Sequence, residues 1–233
     1  MKEKLIIKKL REDHRNGIYT NRGINPIFQL NPKSKILIIG QAPGEKVEET
    51  GILFNDKSGK NLVKWLGISE DVLHSEDFSI IPMDFYYPGK GKSGDKAPRS
   101  FIAKEYHPLL LNELKDIKLT ILIGAYAQKF YLKDKFKKNL TETVKSYKEF
   151  LPEYFPIVHP SPLNNRWIAK NPFFKEDVLP ELKKIVKKLI WIVFVKIYCI
   201  PFFYGNGHQQ WEEIWKNKCE YFRRQIWVFG GWR

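Results

Sequence analysis

Cysteine is nearly absent, with only Cys199 and Cys219 in 233 residues. Two thiols cannot supply a disulfide framework, a four-thiolate zinc site or an iron–sulfur cluster. His14, His74, His107 and His208 stand alone, without ligand spacing, so no metal is expected. Internal repeats at solenoid periods and low-complexity tracts are missing as well. The N-terminal apolar run is only Leu5-Ile6-Ile7, too short for a signal peptide, and a reducing cytoplasm is the expected location. The strongly apolar run from Leu189 to Tyr204 is interrupted by Lys196 and Pro201. It falls short of the roughly 20 residues that span a bilayer, so no membrane span is expected. Gly91-Lys92-Ser93 has Tyr86 where a P-loop needs its first glycine, which removes that phosphate-binding motif.

Positive charge is what the chain has in excess. Lysine and arginine total 40 against 26 acids, a formal charge of +14. Such a balance favours polyanionic partners or a solvated basic surface, and does not bear on fold. With 43% hydrophobic and 28% charged residues the chain reads as globular, long enough for one domain with an appendage. Composition shifts near residue 190: five of seven tryptophans (Trp191, Trp211, Trp215, Trp227, Trp232) and both cysteines lie beyond it. A domain over 1–190 and an aromatic-rich extension over 191–233 are expected. The extension is read as a packed addition, a membrane-surface anchor or a frameshifted end.

Lys35-Ile36-Leu37-Ile38-Ile39-Gly40 is the clearest strand, continuously apolar and closed by glycine. Continuous hydrophobicity suits a strand covered on both faces, as in parallel sheets. Phe78 to Pro82, Leu119 to Gly124 and Phe155 to Val158 read as three more. Between them, Ser58 can cap a helix through Leu62, Val63, Trp65 and Leu66 that Gly67 closes. Leu109 to Leu114, Ala125 to Leu132 and Phe173 to Leu189 are further helix candidates. Alternating strands and helices predict a layered α/β fold with a mainly parallel sheet, whose post-strand loops share one edge where ligands bind.

Two of those loops stand out. The first strand delivers Gly40-Gln41-Ala42-Pro43-Gly44-Glu45, followed by Gly51-Ile52-Leu53-Phe54-Asn55-Asp56-Lys57-Ser58-Gly59. Glycines around a proline let backbone N–H groups approach a ligand within a rigid turn. The fourth strand delivers His159-Pro160-Ser161-Pro162-Leu163-Asn164, a stiff loop with a histidine at its base and a leucine at its tip.

In this order and separation, the pair resembles the two motifs of the uracil-DNA glycosylase superfamily. The likeness covers about residues 30–190. It is strongest toward small bacterial members without a metal cluster, which share the Gly-Gln-Ala-Pro-Gly, Tyr-Pro-Gly-Lys-Gly-Lys-Ser-Gly-Asp and His-Pro-Ser-Pro stretches. The resemblance implies a three-layer α/β/α fold with a central four-stranded sheet. It implies a cofactor-free monomer that extrudes a base from DNA and hydrolyses its N-glycosidic bond. His159 would hydrogen-bond the departing pyrimidine, assisted by backbone N–H groups around Gln41 and Ala42. Phe54 would stack on the base, within a pocket built from Gly40, Pro43 and Gly44. Pro160, Ser161 and Pro162 would press on the phosphate backbone, Leu163 would wedge into the vacated stack, and Asn164 would lie beside DNA. Lys92, with Lys90, Lys96 and Arg99, would contact phosphate from the glycine-rich loop.

Two positions depart from that pattern. The best-known branch has a water-positioning aspartate where this chain has Ala42, and the iron–sulfur branch has a glutamate where it has Gln41. Gln41 can orient water but cannot carry a proton away. Glu45, Glu48 and Asp56 are nearby carboxylates, although such residues are ordinarily plain surface acids. The asparagine that many members use to read uracil is also absent, and Asp84 takes its region. Asp84 could pair with a donor edge of the base or be a turn or cap residue. Two functions follow: a glycosylase for uracil or a related deaminated base in base-excision repair, or a damaged-DNA-binding protein that kept the pocket and lost turnover.

Overall fold

The computed structural model describes residues 2–92 and 94–194. The chain divides into two compact units, Met1–Val186 and Lys187–Arg233, and the first carries the fold. Most of the expected 191–233 extension, with Cys199, Cys219 and His208, lies outside the described residues.

Four strands form the sheet: β1 (Ile36–Ile39), β2 (Phe78–Ile80), β3 (Leu119–Ile123) and β4 (Tyr154–Ile157). They run in the order β2-β1-β3-β4 and every pairing is parallel. Register is set by Ile36 opposite both Phe78 and Leu119, and by Ile123 opposite Ile157. Two helices precede the sheet, α1 (Lys2–Glu12) and α2 (Gly17–Thr20). Between β1 and β2 run α3 (Glu45–Thr50), α4 (Lys57–Leu66) and α5 (Glu70–Leu73). Then come α6 (Ser100–Leu111), α7 (Gly124–Leu132), α8 (Leu140–Lys145), α9 (Asn165–Lys170) and α10 (Leu179–Phe194).

The strands are apolar without alternation because both faces are covered. Leu37 and Ile39 of β1 and Leu122 of β3 share a core with Ile6 and Leu10 of α1 and with Ile102, Ala103, Tyr106 and Leu110 of α6. Ile36, Ile38, Ile121 and Ile123 are equally buried and, by the two-residue period of a strand, face the other way. Phe78, Tyr147, Phe155, Phe174 and, from α4, Leu62 and Leu66 are large buried side chains outside that first core, and Trp65 meets Phe174 edge-on at 5.0 Å. The result is the three-layer α/β/α arrangement around a wholly parallel four-stranded sheet.

Two helix starts differ from expectation. Helix α4 is capped by Asp56, whose Oδ1 accepts the Gly59 N–H at 2.9 Å, and Ser58 falls inside the helix. Its other end closes as expected, with Gly67 left-handed at φ 70°. The helix expected from Leu109 begins at Ser100 and runs through Pro108. Its first turns are amphipathic too, burying Ile102, Ala103 and Tyr106.

His107 of α6 is almost fully buried. Its Nε2–H donates to the Pro82 carbonyl at 3.0 Å, so Nδ1 accepts the Tyr131 hydroxyl at 2.7 Å. Burial lowers it from the ordinary 6.5 to about 4. The unfolded chain therefore binds this proton near pH 6.5 and the folded chain only near pH 4. Stability is unaffected at pH 7 and falls as pH drops through that window, by about 3 kcal/mol at pH 4 from this group alone. The advantage of wild type over His107→Gln in urea unfolding should shrink by that amount between pH 7 and pH 4. An advantage that does not vary with pH contradicts the buried neutral imidazole.

Candidate functional site

Because all four strands are parallel, the loops after them emerge at one edge of the sheet. There they enclose a cavity of about 530 Å³. The segment after β1 contributes Gly40 to Gly44, β2 contributes Ile80 and Pro82, α7 after β3 contributes Tyr126, and the segment after β4 contributes His159. Gln41 and His159, separated by more than a hundred positions in the chain, thus line one pocket.

The first loop is clamped by its neighbour. The Met83 N–H donates to the Gly40 carbonyl at 2.9 Å and the Asp84 N–H to the Gln41 carbonyl at 3.1 Å. Phe54 reaches over this loop from a left-handed backbone, φ 57°, where a bulky residue is strained. That conformation is held from α4. A β-carbon at Gly59 would lie 1.6 Å from the Phe54 carbonyl oxygen, so only glycine lets the helix start approach this closely. A β-carbon at Gly40 would lie 3.7 Å from the tip of the Phe54 ring, which places the ring directly above the loop.

The His159 loop is tied at several points. Asn61 Nδ2 of α4 donates to the Pro160 carbonyl at 2.8 Å, and Asn164 Nδ2 donates to the His159 carbonyl at 2.9 Å. The Leu163 N–H donates to Ser161 Oγ at 3.3 Å, starting a short turn over Pro162–Asn164. Leu163 itself is 82% exposed. The decisive bond is from the Ser161 N–H to His159 Nδ1, 3.2 Å. An imidazole accepting at Nδ1 carries its proton on Nε2. Burial holds His159 below the ordinary imidazole value, with the carboxylates of Asp56 and Asp95 opposing it. The ring is therefore a neutral donor through Nε2.

Gly40, Gln41, Ala42, Pro43, Gly44, Phe54, His159, Ser161, Leu163 and Asn164 all line the cavity. Pro160 and Pro162 stiffen the loop without lining the pocket. Lys92 is exposed on the hairpin that pairs Lys90 with Asp95. Asp84 requires correction. It is fully buried, lies outside the cavity lining, and its oxygens accept from Arg99 Nε and Nη2, both at 2.8 Å, and from the Arg99 N–H at 3.0 Å. It does not line the cavity as a base reader would, and its turn role is present: Oδ1 also accepts the Tyr86 N–H two residues on at 3.2 Å. Arg99 correspondingly turns inward, over the rings of Tyr19, Tyr86 and Phe101, and away from phosphate.

The candidate substitute carboxylates also separate. Glu45 pairs with Lys90 at 3.1 Å and Glu48 with Arg22 at 3.3 Å, and neither lines the cavity. Asp56 does line it, yet one oxygen is held as the α4 cap. Asp95 and Tyr126 also line the cavity. Asp95 closes the Tyr-Pro-Gly-Lys-Gly-Lys-Ser-Gly-Asp stretch, where the expected role fell on the lysines, and Tyr126 lies in the helix expected over Ala125 to Leu132, where no site role was expected.

The family model for the Uracil DNA glycosylase superfamily matches residues 27–183. A solution NMR structure from Methanosarcina acetivorans, described as a "putative Uracil DNA glycosylase", is similar at 14% identity and a TM-score of 0.40. That likeness covers 70% of this chain and 98% of the other. The match over residues 27–183 spans both loops and all four strands, and the chain belongs to the uracil DNA glycosylase superfamily.

Proposed function

We propose that the chain is a monofunctional DNA glycosylase that flips uracil or a related deaminated base out of DNA and hydrolyses its N-glycosidic bond, as the first step of base-excision repair. The observation that carries this reading is the neutral His159, its Nδ1 occupied by the Ser161 N–H so that its proton sits on Nε2, in a cavity that it lines together with Phe54. Bond cleavage puts negative charge on the departing pyrimidine. A fixed donor in a pocket shielded from water stabilises that charge without reorganising. Phe54 offers a stacking face worth about 1–3 kcal/mol to an extruded base. Leu163, apolar and exposed at the loop tip, fills the gap in the stack as wedge residues do. The net charge of +14 supports affinity for the phosphate backbone.

The test is incubation with single- and double-stranded oligonucleotides carrying uracil, hypoxanthine or xanthine, followed by alkali. A free base and alkali-labile breaks at the lesion are expected, with no break before alkali. An intact strand on every substrate overturns the reading. The alternative of a binding protein without turnover rests on Ala42, which offers no carboxylate in the first loop. It gives salt-sensitive retention of lesion DNA and no released base.

A further inference from the structure

The reaction needs a group to take a proton from the attacking water, and neither Ala42 nor Gln41 can. Among the described residues lining the cavity, only Asp56 and Asp95 carry a carboxylate. Asp56 is committed to structure: its Oδ1 caps α4 at the Gly59 N–H, the same contact region that holds Phe54 in place. Asp95 is differently situated. It sits on a two-residue-wide hairpin closed by the Lys96 N–H to Gly89 carbonyl bond at 2.9 Å and the Gly91 N–H to Gly94 carbonyl bond at 2.8 Å. Gly89 and Gly94 hold left-handed angles, φ 87° and 78°, and Gly94 lines the cavity beside Asp95. Lys90, the cation nearest in the ladder, pairs with Glu45 across to α3, at 3.1 Å. Among the described residues Asp95 takes one side-chain hydrogen bond, from the Tyr87 hydroxyl to Oδ1 at 3.3 Å, which orients the carboxylate without neutralising it.

Taking the site as that of a glycosylase, we propose that Asp95 is the catalytic carboxylate that positions and deprotonates the attacking water, the role left vacant at Ala42. The bond between the sugar C1′ and the base nitrogen breaks and its electron pair departs on the base, held by the His159 Nε2–H. The water oxygen bonds to C1′ while one water proton passes to the Asp95 carboxylate. The base anion then takes a proton from solvent. A carboxylate carried by a hairpin replaces one built into the first loop, and Asp95 and His159 line the same cavity.

The experiment is single-turnover base release from a uracil-containing oligonucleotide by wild type, Asp95→Asn, Asp95→Glu and Asp56→Asn, with product-DNA affinity measured in parallel. Asp95→Asn should lose about 100-fold in rate, in the range for a positioned general base. Its affinity for abasic product DNA should stay within threefold, and Asp95→Glu should recover at least tenfold of the lost rate. Retention of more than a third of the rate by Asp95→Asn, or equal losses in rate and affinity, overturns the assignment. A silent Asp95→Asn beside a rate-deficient, folded Asp56→Asn transfers the role to Asp56. If wild type releases no base from any lesion, the glycosylase reading itself falls and this role falls with it.

Discussion

Replacing His159 with alanine is expected to slow base release by about 10²–10³-fold, the cost of removing one preorganised donor to a developing anion. DNA affinity should change little, because the substitution leaves untouched the residues proposed to contact phosphate and to wedge into the stack. The separation of rate from affinity is the informative part. Among the described residues His159 makes no ion pair, and its bonds to the rest of the loop run through its carbonyl and through Nδ1. The argument from the tautomer adds a finer expectation. Glutamine can present an N–H in place of Nε2–H, so His159→Gln should recover part of the rate that alanine loses. Single-turnover kinetics on a uracil oligonucleotide, with anisotropy on abasic DNA, reads both quantities. A His159→Ala protein of wild-type rate would remove the leaving-group donor from the proposal.

Asp84→Ala is expected to act on stability. Removing the carboxylate leaves the Arg99 guanidinium among Tyr19, Tyr86 and Phe101 with its bidentate partner gone. Breaking one side of a buried pair costs about 3–5 kcal/mol. The Arg99 side chain retains 23% exposure, which puts the expectation near 3 kcal/mol. Urea unfolding measures it directly. The order of base preference should be unchanged at a temperature where the variant is folded. A variant of normal stability with altered base preference would return Asp84 to the role of a base reader.

The sheet and both principal loops were legible because they depend on local patterns. Ile36 to Ile39 is apolar at every position, which only a doubly covered strand tolerates, and the Gly40–Gly44 and His159–Asn164 loops follow strands directly. Of the two roles open to Asp84 the turn role is legible locally, in its bond from the Tyr86 N–H, whereas its pairing with Arg99 is 15 residues away across a loop whose path no periodicity reveals. The α4 cap was misplaced by two residues since Asp56 and Ser58 are both good capping types, and the choice between them is made by Phe54 packing on Gly59. Asp95 lies at the end of a stretch that carries the family resemblance, but its place in the pocket, like that of Tyr126, comes from tertiary placement that no local pattern specifies.

The position of β4 in the order β2-β1-β3-β4 has a consequence for how this protein fails under stress. β4 pairs with β3 alone, so fraying at that margin leaves the β1–β3 and β1–β2 ladders intact. The imidazole hangs just beyond that outermost ribbon, and it withdraws when the ribbon loosens. Inactivation in mild denaturant is therefore expected to run ahead of the collapse of helical signal, which activity and far-UV circular dichroism followed together would read.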